Sequence, residues 1–147
     1  MKADLVSAFT SAHLNAKGDM TDEVFRSVQA ASILRVLQKN QPRTREQPYQ
    51  TMQLMQMNYF LEHGLLSFDP SSERLTIHYD RYNQVISQML NDVLEIQQRG
   101  APQRATEFIE KYISWTPDLH ARLAERLRNS SSYRFVMVRY KALDQDL

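Results

Sequence analysis

This sequence predicts a mainly α fold, about six helices in one compact domain over residues 1–147, and three observations predict it. Breakers are scarce, with 3 Gly and 5 Pro in 147 residues, too few for a sandwich of many short strands. Apolar residues recur at steps of three and four through most of the chain, the period of a helix with one buried face. Two stretches depart from that period, about 65–79 and about 133–141, and read as a small β-hairpin and a C-terminal strand.

The elements follow in order. Leu5, Val6, Phe9 and Leu14 mark a first helix over 3–16, with Gly18 as a left-handed stop. This helix has no cap of its own, since "MKADLVSAF" is already running at Ala3. Thr21 then stands as an N-cap before Asp22 and Glu23, acids that complement the helix dipole. Val24, Phe25, Val28, Ala31, Leu34 and Leu37 carry that second helix to about Lys39. A polar loop follows, and Pro48 opens a third helix, "PYQTMQLMQMNYFLEH", that stops at Gly64. Its Met52, Met55 and Tyr59 form a stripe that is read as core.

Two short apolar runs around "DPSSER", with Leu75, Ile77 and Tyr79 alternating, make the hairpin. Asp80 is expected to cap the clearest helix, in which Tyr82, Val85, Ile86, Met89, Val93 and Ile96 share one face up to Gly100. Pro102 restarts a short helix with Ala105, Phe108, Ile109 and Tyr112. Thr116 and Pro117 begin the last one as N-cap and first residue, with Leu119, Leu123 and Leu127 at steps of four, before "RNSSS" breaks it.

Bulk composition narrows function by exclusion. Lys and Arg number 18 against 17 Asp and Glu, a net charge of +1, without the basic stripe that a phosphate backbone requires. No nucleic-acid partner is expected. The absence of Cys rules out disulfides and thiolate zinc sites. No signal peptide and no apolar run near the ~18 residues of a membrane span is seen, so a cytoplasmic protein with no membrane partner is expected.

The chemical inventory is thin. His13, His63, His78 and His120 form no H-E-x-x-H and no i, i+4 pair, and each reads as structural. No glycine-rich phosphate loop and no G-x-S-x-G elbow occurs. The expectation is therefore no catalytic residue, no metal ligand and no cofactor within this chain.

Two segments nevertheless resemble a known family. "SILRVLQKNQPRTREQPYQTMQLMQMNYFLEHGLL" ends in the pattern N-Y/W-x-x-E/D-x-G, here Asn58, Tyr59, Glu62 and Gly64. "LNDVLEIQQRGAPQRATEFIEKYISWTPDL" has a long helix, a Gly turn, a short helix ending in Glu110-Lys111-Tyr112, and a Pro-started helix. In this order, over the first residues to about Leu127, they resemble the closing helical stretch of the dipeptidyl-peptidase III family of zinc metallopeptidases. "MKADL" is similar to the tail of that family's E-E-x-R-A-D motif, with Lys2 at the Arg and Ala3-Asp4-Leu5 at the A-D-L.

The resemblance implies a C-terminal helical portion of a longer zinc hydrolase, such as a bacterial Nudix-peptidase-type parent. That portion would form one wall of a peptide cleft and be inactive in isolation. The zinc, its H-E-x-x-G-H motif and the Glu pair would lie in the parent's N-terminal catalytic portion, the expected partner, with a peptide as substrate. Asp4 would support a zinc-bound His from behind. Where the family carries H-x-x-x-R, this chain has Tyr49-Gln50-Thr51-Met52-Gln53. Tyr49 can still donate a hydrogen bond to an oxyanion, but Gln53 cannot form a charged fork to a carboxylate. Self-association of the isolated chain is also expected, through the first helix and residues 133–141. The alternative reading is a non-catalytic helical interaction module.

Overall fold

The computed structural model describes residues 1–38 and 48–129, with residues 48–50 and 128 described by their backbone alone. The expected strand at 133–141 lies outside the described residues. Within them the chain runs α1 (Lys2–Lys17), α2 (Asp22–Gln38), α3 (Pro48–Glu62), β1 (Leu66–Asp69), β2 (Arg74–Ile77), α4 (Tyr82–Arg99), α5 (Pro102–Tyr112) and α6 (Arg122–Asn129). Six helices and one hairpin, mainly α and compact, match the expected fold class.

The sequence accounts for most boundaries. The Gly18 N–H, at φ 83°, bonds back to Asn15 O and closes α1. Thr21 Oγ1 accepts from the Val24 N–H at 3.3 Å, the side-chain cap expected for α2. Two helix starts differ in detail. Asp80 lies inside a 3₁₀ turn (Tyr79–Arg81), and Arg81 takes the N-cap position of α4. Pro117–Ala121 makes one π turn before α6, and the Thr116 side chain does not cap it. There the Thr116 backbone N–H instead donates to Nδ1 of the buried His120 ring at 3.0 Å.

Helix α3 is the spine. Met52, Leu54, Met55, Met57, Tyr59 and Phe60 are all buried, so the helix is enclosed on every side rather than amphipathic. It packs on α2, α5 and β1, while α1 lies across α4 and α2, and α6 closes against α2. The Met stripe is core, as its spacing suggested.

The antiparallel hairpin pairs Leu66 with Ile77 and Phe68 with Leu75, placing those side chains against the core. Its turn is organised by Asp69, whose carboxylate accepts from the Ser71 N–H and from the Ser71 and Ser72 hydroxyls at 2.6–2.9 Å. Those bonds hold the Asp69 carboxyl down at about 2.

Candidate functional site

Two neighbourhoods carry the residues singled out above, and they meet along α3. The first lies at the C-terminal half of that helix. Asn58 Nδ2 donates to the carbonyls of Tyr112 (2.8 Å) and Ser114 (2.7 Å). Both amide hydrogens are thereby used, so Asn58 Oδ1 is an acceptor, and His120 Nε2–H donates to it at 2.9 Å. His120 is then neutral, with its proton on Nε2 and Nδ1 accepting from Thr116. Burial pushes its pKa below the ordinary histidine value, against a smaller opposing effect of the Thr116 carbonyl, 3.2 Å from Nδ1.

One residue on, the Tyr59 hydroxyl donates to Asp92 Oδ2 at 2.6 Å. Burial, reinforced by that carboxylate, raises the phenol far above its ordinary pKa. The Tyr59 ring stacks on His63 at 4.1 Å between centroids. Glu62 meets Lys111 Nζ at 2.7 Å, and that bond lowers its carboxyl pKa. Gly64 sits at φ 71°, where a Cβ would stand 2.6 Å from Arg81 Nη1. Every named position of the N-Y-x-x-E-x-G pattern thus ties α3 to α4, α5 or the turn before α4. The pattern is scaffold.

The second neighbourhood is a pocket of about 120 Å³ bounded by α1, α2, α3 and α4. Asp4 and Gln53, named separately from the sequence, both line it. The structure brings them together, while the side chain of Tyr49, in the first turn of α3, is outside the description. Asp4 Oδ1 accepts from Arg35 Nη1 at 3.1 Å, and both groups remain partly open to solvent. Deeper in, Tyr82 and Ser32 share a 2.7 Å hydrogen bond. Ser32 Oγ already donates to Gln29 O at 2.8 Å, so the phenol is the donor between them. Burial raises the Tyr82 pKa and keeps it protonated.

The pocket has one more property that spacing concealed. Gln53 and Gln56 are 4% and 5% exposed, and Gln53 Oε1 and Gln56 Nε2 find no hydrogen-bond partner among the described residues. Gln56, Arg35 and Ser32 were not foreseen. A sign existed for Gln56, since Gln at i and i+3 inside a Met-rich run puts two amides on one face of a buried helix.

Among the described residues no three His, Asp or Glu side chains come together as a metal would need. No helix among them is long and apolar enough to cross a membrane.

Comparison with known proteins bears on the fold. The chain is similar to the structure of DPP III from Caldithrix abyssi, with a TM-score of 0.68 and 22% identity. It shares the fold of part of that DPP III. The match covers 86% of this chain and 24% of that one, so this chain spans about a quarter of the DPP III length. No family model and no curated protein matches. The DPP III-like helical architecture is therefore carried by structure.

Proposed function

We propose that this chain is the helical part of a DPP III-like zinc hydrolase and forms one wall of its peptide cleft. The observation that carries the reading is the convergence of Asp4 and Gln53 on one pocket within a DPP III-like fold. Asp4 comes from α1 and Gln53 from α3, yet the resemblance had placed both beside the reacting centre. The ion and its ligands would belong to the rest of such a protein, as the resemblance implies.

In this role Asp4 accepts a hydrogen bond and orients a histidine of the catalytic portion. Gln53 contributes a neutral amide where the family has an arginine, so the fork that would seize a terminal carboxylate is lost. Alone, the chain should neither hold zinc tightly nor cut peptides. Val6 and Phe9, 43% and 46% exposed on α1, are apolar surface suited to the catalytic portion or, in its absence, to self-association. Light scattering over a concentration series should show association, and a strict monomer counts against it.

The decisive test is the coding sequence upstream of the Met1 codon. The reading requires a Glu–Glu pair directly before it and H-E-x-x-G-H farther back, and zinc-dependent peptide hydrolysis by the protein so encoded. A frame lacking those motifs overturns it.

A further inference from the structure

Buried polar atoms without partners are rare, and each costs roughly 1–3 kcal/mol. Two occur on neighbouring side chains of one helix, and both side chains line the same cavity although the unmet atoms themselves are closed off from it. Among the described residues, Gln53 leaves an acceptor unmet and Gln56 leaves a donor unmet. Together they lack one N–H and one C=O, the complement that a planar amide supplies. The cavity, about 120 Å³, far exceeds the ~10–15 Å³ that a single water needs. We propose that Gln53 and Gln56 form an amide-reading pair, with the pocket between α1, α2, α3 and α4 taking an uncharged carboxamide group.

The electrostatics select against charged ligands. A carboxylate in the pocket would meet the Asp4 carboxylate, while the Arg35 guanidinium is already engaged by Asp4 at 3.1 Å. No other charged side chain among the described residues lines the cavity, so a buried anion would lack the pairing that offsets its desolvation. An ammonium would find Asp4 alone, at the more open end. A neutral amide meets a neutral amide pair without that cost. The unmet atoms are turned away from water at present, and rotation about χ3, a broad two-fold torsion, is the adjustment that brings them onto a ligand. The chemistry rests on the pocket, and only the identity of that amide as a peptide group rests on the hydrolase reading.

The test uses the ¹⁵N-labelled chain and the side-chain Nε2 resonances of Gln53 and Gln56, assigned from Gln53→Leu and Gln56→Leu. Titration with N-methylacetamide should move both pairs saturably, with Kd on the order of millimolar for so small a probe. Acetate at neutral pH should give no saturable shift. The double Leu variant should weaken binding by about ten-fold or more, the loss of two hydrogen bonds. Its fold should survive, since leucine removes both orphan atoms.

Unmoved resonances, acetate binding as well as the amide, or a crystal structure of the soaked chain with only ordered waters on both atoms would each overturn the proposal. If the unmodified chain binds amide but the longer protein cuts no peptide, the hydrolase reading fails and the pocket assignment stands. Peptide cleavage unaffected by the double variant, with no amide shift, separates the two the other way.

Discussion

The two halves of α3 are built from similar residues and meet opposite fates. Toward its C-terminus, Asn58, Tyr59 and Glu62 each find partners on α4, on α5 or just beyond it. Nearer its middle, Gln53 and Gln56 are buried more deeply than Asn58 and Glu62 and hold atoms with no partner among the described residues. The satisfied half is the part that carries the recognisable N-Y-x-x-E-x-G pattern. The unsatisfied half departs from the family's H-x-x-x-R. A motif whose hydrogen bonds go to its own fold has little left for a ligand, whereas unmet capacity on side chains that line a cavity can be turned toward one.

That contrast can be broken from the satisfied side. Asn58→Ala should have the largest effect, because it strands the Tyr112 and Ser114 carbonyls and the His120 ring at once. A loss of about 3 kcal/mol is expected, which lowers Tm by roughly 10 °C for a domain of this size. Tyr59→Phe removes one hydrogen bond to a carboxylate and should cost about 2 kcal/mol in denaturant unfolding. If either variant proves neutral, the scaffold account of the motif fails.

Acid should act on the same half, less steeply. Burial holds His120 below its ordinary pKa, so the unfolded chain takes up that proton first as pH falls. The stability that the neutral ring provides is complete above about 6.5 and is lost below that, until the folded-state value is passed. Glu62, held down by Lys111, loses its contribution in the same direction at lower pH, when its carboxylate protonates. The denaturant midpoint should drop between about pH 7 and pH 5, and His120→Gln should flatten that slope. An unchanged slope would show that the ring titrates as it does in the unfolded chain.

The smallest effect belongs to the pocket side. Asp4→Asn breaks an ion pair whose members are 32% and 54% exposed, and such pairs contribute about 0–1 kcal/mol. Thermal melts should barely move. In the longer protein that the functional reading requires, the same substitution should instead weaken zinc retention by about ten-fold or more, since outer partners of ligand histidines act on affinity. A large stability loss with unchanged zinc retention would make Asp4 a structural residue.

The sequence alone determined the described helices, the hairpin and much of the core, although Val6, Phe9, Val24 and Ile109, which share the helical spacing, stand exposed. Helical spacing placed Leu5, Phe25, Met55, Tyr82, Val85 and Met89 inside, and a capping threonine, a stop glycine and Pro48 set helix ends, because such signals act within one or two turns of chain. The starts of α4 and α6 were less legible. At α6 a distant side chain, Asn58, holds the His120 ring that takes the Thr116 N–H. What only the tertiary structure decided is which polar residues share a space. Asp4 and Gln53 lie 49 positions apart in the numbering, and the packing of α1 across α4 and α2 brings them to one cavity. Whether a buried amide has a partner depends on every neighbouring element at once, and no local periodicity encodes that.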